Sequence, residues 1–176
     1  MEKIFYANKS IEPDSETAIK RILSEYFNIK NAVIERNENG KPFLMNAQTP
    51  LFFSVSHTDT KLFIAVSDEN VGIDAESLYR NVDYLPILKR FTPEERQQIR
   101  SVEDFLRFWV AKESAVKWLG GSLAQDLRKL RYTNGRLFYG EIELPVKLVF
   151  HTFDTYLLAV CSERDFTGAE FIPFSL

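Results

Sequence analysis

One long helical run, set in a chain otherwise patterned for strands, puts the tightest limit on the fold. From Val102 to Leu119 the apolar residues Phe105, Phe108, Trp109, Val116 and Leu119 form a stripe at helical spacing, and Gly120-Gly121 ends the run. The clearest pattern elsewhere has a period of two. In residues 71–76, Val71, Ile73 and Ala75 point one way, and Gly72, Asp74 and Glu76 point the other. A helix with one apolar stripe must be covered by another layer. The expected class is therefore α+β, with small antiparallel sheets packed on helices.

The remaining segments fit that class. Ala18, Ile19, Ile22, Leu23 and Tyr26 predict a helix over Ser15–Phe27, capped by Asp14 or Ser15. Residues 33–36 read as a short strand that enters the turn Asn37-Glu38-Asn39-Gly40. Residues 51–57 and 62–67 read as a hairpin, with Phe53, Val55 and His57 on one side of its first arm. Thr92-Pro93-Glu94-Glu95 is a capping box that opens a helix ending before Ser101. The C-terminal part predicts strands over Leu130–Thr133, 137–139, 146–151 and Tyr156–Ser162, with a turn at Asn134-Gly135. Residues 78–91 are ambiguous, and residues 166–176 carry no readable pattern. The stretch from His57 to Ser67 resembles that from His151 to Ser162, which suggests a duplicated hairpin unit. Two halves related by a pseudo-twofold axis are expected, a shortened one over residues 1–68 and one carrying the acidic motifs over residues 69–176.

Composition excludes several classes. The chain has 176 residues, 45% apolar and 14% aromatic. A chain of this length buries roughly 70% of its extended surface, so disorder is not expected. Lys+Arg number 22 against 25 Asp+Glu, a net charge of -3, whereas proteins that live on a nucleic-acid backbone are usually basic. Nucleic acid is therefore not an expected partner. The single cysteine, Cys161, follows an apolar run and reads as a buried reduced thiol, which fits the cytosol. The opening MEKIFYANKS lacks a signal-peptide core, and no stretch approaches the ~18 apolar residues of a membrane span. A cytoplasmic protein without a membrane partner is the expectation.

Four constellations carry possible chemistry. Asp74 and Glu76 share a face with Cα atoms roughly 6.6 Å apart, a repulsive arrangement that a hard divalent cation such as magnesium would reconcile. For an isolated D-x-E, a solvated polar face on an edge strand is the commoner reading. On the long helix, Trp109, Glu113 and Lys117 lie in an i, i+4, i+8 line beside the apolar stripe. If that helix crosses the acidic strand, Glu113 adds a third carboxylate, and Lys112 and Lys117 add positive charge for a phosphate. The alternative is a surface Glu–Lys pair worth ~0.3–0.5 kcal/mol. Ser56-His57 ends a strand at a turn, and Gly40-Lys41-Pro42 is a tight turn beside a cation. Walker A, G-x-G-x-x-G, H-E-x-x-H and G-x-S-x-G motifs are absent.

The motifs Gly40-Lys41-Pro42, Phe53-Ser54-Val55-Ser56-His57, Val71-Gly72-Ile73-Asp74-Ala75-Glu76, Phe91-Thr92-Pro93-Glu94-Glu95 and the run from Phe108 to Lys117 occur in this order. Together they resemble the 4'-phosphopantetheinyl transferases, in particular the pseudo-dimeric surfactin-synthetase-activating type. The resemblance implies two similar α+β halves with the active site between them, working as a monomer. It implies Mg²⁺-dependent transfer of phosphopantetheine from coenzyme A to a serine of an acyl or peptidyl carrier protein, with release of adenosine 3',5'-bisphosphate. It also implies roles. Asp74, Glu76 and Glu113 match metal ligands, and Glu113 also matches the general base. Lys117 matches the lysine that stabilises the leaving phosphate, with Lys112 beside it. Ser56 and His57 match a pair contacting the diphosphate and nucleotide, and Lys41 and Pro42 match a loop against the adenine and ribose phosphate.

Departures temper what is carried over. The stretch before Gly40 is short, and only Lys20 and Arg21 stand where relatives carry more basic residues. Gly121 occupies a position where many relatives have lysine. A non-catalytic carrier-binding homologue with weakened coenzyme A affinity is therefore the alternative reading. The carrier is expected near residues 78–100, where Arg80, Lys89, Arg90, Arg96 and Arg100 offer positive charge. A metal-dependent nuclease is disfavoured, because Glu113 and Lys117 sit on a helix and the chain is acidic.

Overall fold

A computed structural model describes residues 1–9, 15–45 and 50–175. The first part of the chain runs β1 (Lys3–Asn8), α1 (Ser15–Phe27), β2 (Ile34–Arg36), β3 (Pro42–Leu44), β4 (Phe52–His57) and β5 (Lys61–Ser67). It continues through β6 (Val71–Ser77), α2 (Leu85–Leu88), α3 (Pro93–Gln98), α4 (Val102–Leu119) and α5 (Leu123–Asp126). It ends with β7 (Leu130–Thr133), β8 (Arg136–Tyr139), β9 (Ile142–Glu143), β10 (Lys147–Phe153), β11 (Tyr156–Ser162) and β12 (Glu170–Pro173).

Two sheets organise these elements. The first has the order β12-β1-β5-β4 and the second β10-β11-β6. All neighbours are antiparallel except β1 and β12. Alternate residues of β5 face opposite ways, which is what strand geometry requires. Leu62, Ile64 and Val66 pack with Phe5, Phe53 and the α1 residues Ala18, Ile19, Ile22 and Leu23. Phe63 and Ala65 turn to the other side and pack with Val71, Ile73, Ala75, Leu158 and Val160 of the second sheet. On that sheet's far face, Leu157 and Ala159 meet Phe105, Leu106, Phe108 and Val110 of α4. The layers therefore run α1, first sheet, second sheet, α4. The fold is α+β, as the patterning predicts.

The helix boundaries follow local chemistry. The Thr92 side chain accepts from the Glu95 N–H while Glu95 reaches back to the Thr92 N–H, so the capping box is fully formed. Ser101 caps α4 through the Asp104 N–H, and Gly120 ends it with φ of 65°. Asn134 and Gly135 both take positive φ between β7 and β8. The proposed Asp14 cap lies outside the described residues.

Some expectations need correction. Tyr26 is 44% exposed and rests edge-on against Phe5 at the border of the α1 stripe. Leu119 is exposed at the last position of α4, and the buried face of that helix is wider than one stripe, taking in Leu106, Val110, Ala111 and Ala115. Residues 78–91 contain only the short α2. β1, β3, β9, α5 and β12 have no counterpart in the sequence reading. β12 pairs with β1, so the C-terminal segment completes the first sheet rather than the second.

Candidate active site

The acidic strand is not a solvated edge. The far face of β6 lies directly under α4, and Gly72 makes that approach possible. A Cβ there would stand 2.0 Å from the Ser114 carbonyl oxygen and 2.5 Å from the Trp118 nitrogen. Two and four residues further along the same face, Asp74 and Glu76 meet the Trp109–Glu113–Lys117 edge of the helix. The free edge of β6 is covered by β4: the Ile73 N–H donates to Ser54 Oγ at 3.1 Å and the Ala75 N–H to Ser56 Oγ at 3.0 Å. Both serines are buried, so they satisfy backbone donors that water cannot reach.

Asp74 sits at the centre. Its Oδ1 accepts from Ser56 Oγ at 3.0 Å and from Lys117 Nζ at 2.7 Å. Its Oδ2 is buried and, among the described residues, has no hydrogen-bond partner. Glu76 pairs with Arg80. Burial raises the Glu76 pKa, with the Arg80 interaction opposing it. Glu113 is half-buried, and its pKa is pushed up to about 8, first by burial and then by the charge of Asp74, with Lys117 opposing and Glu76 adding to the rise. The three carboxylates thus share one electrostatic environment. They are not drawn into a cage: among the described residues no three Asp, Glu, His or Cys groups are arranged to hold a metal ion. Lys117 and Arg80 take the carboxylate oxygens instead.

The donor set nonetheless suits a hard cation. It is all oxygen, with Glu113 ionised it holds three negative charges against the two facing cations, and Asp74 Oδ2 lacks a donor that an ion would replace. Asp74, Glu76 and Glu113 are the groups available to it.

Two cavities flank this cluster and meet at His57. One of about 240 Å³ is lined by Arg36, Lys41, Pro42, His57 and Lys117, among others. The other, also about 240 Å³, is lined by His57, Thr58, Asp59, Glu76, Ser77 and Arg80. The first gathers basic side chains; Arg36 was not among the residues the sequence singled out. Its signal would have been its place opposite Pro42 in the β2–β3 hairpin, legible only once that pairing is known.

Three residues expected to touch a bound nucleotide are placed differently. Lys112 is fully buried, pairs with Glu95 at 2.9 Å and lies over the Phe91 ring, on the helix face turned away from the two cavities. Burial lowers its pKa and Glu95 counters that. Ser56 is enclosed and serves Asp74 and the Ala75 N–H. Lys41 lines the basic cavity with its stem, while its amino group donates to Asn70 Oδ1 and to the Val71 and Trp118 carbonyls. Burial pulls its pKa down to about 8. Pro42, His57 and Lys117 all line the basic cavity. Gly121 has a local reason: a Cβ would stand 2.3 Å from Asp126 Oδ2, which is held by the Ser122 N–H.

Residues 70–161 match the family model of the 4'-phosphopantetheinyl transferase superfamily. The chain is 32% identical to the 4'-phosphopantetheinyl transferase gsp of Aneurinibacillus migulanus, over 60% of this chain and 46% of the relative. It is 30% identical to the 4'-phosphopantetheinyl transferase AcpT of Salmonella typhi, over 74% of this chain and 67% of the relative. It is 30% identical to the L-aminoadipate-semialdehyde dehydrogenase-phosphopantetheinyl transferase of Xenopus laevis, over 57% of this chain and 39% of the relative. The chain spans about half the length of these curated relatives.

Proposed function

This chain belongs to the 4'-phosphopantetheinyl transferase superfamily, and from that membership we propose that it moves the 4'-phosphopantetheine group of coenzyme A to a serine of an apo acyl or peptidyl carrier protein. The observation that carries the reading is the apposition of Asp74 and Glu76 on β6 with Glu113 and Lys117 on α4, beside a basic cavity. Magnesium held by Asp74, Glu76 and Glu113 would neutralise the diphosphate of coenzyme A. In this reading the serine oxygen attacks the phosphorus bearing the pantetheine arm. The bond from that phosphorus to the oxygen of the adenosine 5'-phosphate breaks, and adenosine 3',5'-bisphosphate leaves. Glu113, which a bound cation would hold ionised by offsetting the charges of Asp74 and Glu76, takes the serine proton. Lys117 faces the leaving phosphate, and His57 and Pro42 border the nucleotide. Positioning and charge neutralisation dominate such a transfer. The protein acts as a cytoplasmic monomer in this account, with Cys161 a buried free thiol.

The test is incubation of the purified protein with Mg²⁺, coenzyme A and a panel of apo carrier proteins, read by mass spectrometry. A phosphopantetheine adduct on the carrier serine is expected, and no adduct on any carrier would overturn the assignment. A second reading, a carrier-binding homologue with weakened coenzyme A affinity, is favoured by the inward placement of Ser56, Lys112 and the Lys41 amino group. Calorimetric titration with coenzyme A and Mg²⁺ separates the two: measurable binding supports the transferase and its absence supports the second reading.

A further inference from the structure

The Glu95–Lys112 pair is the most deeply enclosed charge pair among the described residues, and the transfer chemistry makes no direct use of it. We propose that Glu95 and Lys112 are positioning residues whose ion pair fixes the rotation of α4 about its own axis, so that Glu113 and Lys117 face Asp74 and Glu76. The proposal rests on the transferase reading above.

Three observations carry it. The side chains are 1% and 0% exposed, with Lys112 Nζ 2.9 Å from Glu95 Oε2. Glu95 is held by two further directed donors, one from its own helix cap and one from β7: Oε2 also accepts from the Thr92 N–H at 2.8 Å, and Oε1 accepts from the Tyr132 N–H at 2.8 Å. One carboxylate thus joins the start of α3, the strand β7 and the middle of α4. Finally, Lys112 immediately precedes Glu113 on the helix. Consecutive helical residues are set about 100° apart, so holding Lys112 on Glu95 fixes the direction in which Glu113 leaves the helix.

The chemistry explains why a charged pair serves here. Apolar residues would fill the same space with no desolvation penalty, and buried ion pairs are seldom chosen for stability alone. Apolar packing constrains the roll of a helix by shape alone and tolerates repacking, however. A carboxylate with three directed donors does fix it. Displacement of a catalytic group by about 1 Å costs ~100-fold in rate, which gives such a fixture a functional consequence.

The test compares the full-length wild type with Lys112→Met and with the double variant Glu95→Gln/Lys112→Met. The double variant leaves no unpaired buried charge and so keeps the test open if the single variant fails to fold. Thermal unfolding, Mn²⁺ titration by calorimetry, and kcat and KM for coenzyme A are measured on each folded protein. The expected result is a double variant that folds, binds Mn²⁺ at least fivefold more weakly, and loses at least tenfold in kcat with KM for coenzyme A changed less than twofold. Wild-type Mn²⁺ affinity and kcat in the folded double variant would overturn the proposal. So would a raised KM with unchanged kcat, which would make Lys112 a phosphate contact. A wild type that neither binds Mn²⁺ nor transfers overturns the transferase reading and this proposal with it. A wild type that does both, matched by the double variant, overturns this proposal alone.

Discussion

Glu113 is where opposing electrostatic influences meet. Burial and the charges of Asp74 and Glu76 raise its pKa from 4.5 to about 8, and Lys117 only partly offsets them. The consequence for stability follows from proton linkage. A carboxyl group that holds its proton more tightly folded than unfolded favours the fold at pH below about 4.5, and that contribution is lost as pH rises toward about 8. Chelator-treated protein should therefore lose thermal stability across that interval, and Glu113→Gln should flatten the loss, as circular dichroism melts at stepped pH will show. In the proposed transfer the same substitution removes the proton acceptor, and kcat should fall roughly 10²–10⁴-fold while the fold persists. Asp74, Glu76, Glu113 and Lys117 were all legible in the sequence because strand and helix periodicities put them on defined faces. The placement of Ser56, Lys41 and Lys112 was not. Each of these side chains has its polar group directed by a partner distant in sequence: Asp74 for Ser56, the Trp118 carbonyl for Lys41 and Glu95 for Lys112.

At the level of elements, β6 and α4 make the site together, and Gly72 lets them touch. Gly72→Ala places a methyl carbon against the backbone of α4 at Ser114 and Trp118, neither of which can swing aside. Such overpacking should cost about 3 kcal/mol and push the helix off the strand. Urea unfolding should show the lost stability, and the transfer assay a loss of activity in the fraction that remains folded. A variant as stable and active as wild type would mean that the close approach does not matter. The sequence marked α1, α3 and α4 well, because caps, glycine stops and 3.6-residue spacing are local signals. β1 and β12 escaped it. Ile4 and Phe5 are consecutive and both buried, because layers cover both faces of that sheet, and this erases the alternation that identifies a strand. β12 is four residues long, ends in Pro173 and exists through its pairing with β1 at the other end of the chain.

Across the molecule, strand, helix and hairpin occur twice: β1, α1 and β4–β5, then β6, α4 and β10–β11. The site lies where they adjoin: β4 of the first set supplies Ser54, Ser56 and His57, and β6 and α4 of the second supply the acids and Lys117. Neither set holds the whole cluster, so the account stands on all the acids serving one ion at this junction. The direct measurement is a crystal structure of the protein soaked with Mn²⁺ and coenzyme A, with anomalous differences collected to locate the metal. The account predicts a single manganese peak bounded by the carboxylates of Asp74, Glu76 and Glu113. Coenzyme A bound in the basic cavity with manganese absent from those carboxylates, or seated elsewhere, would contradict it.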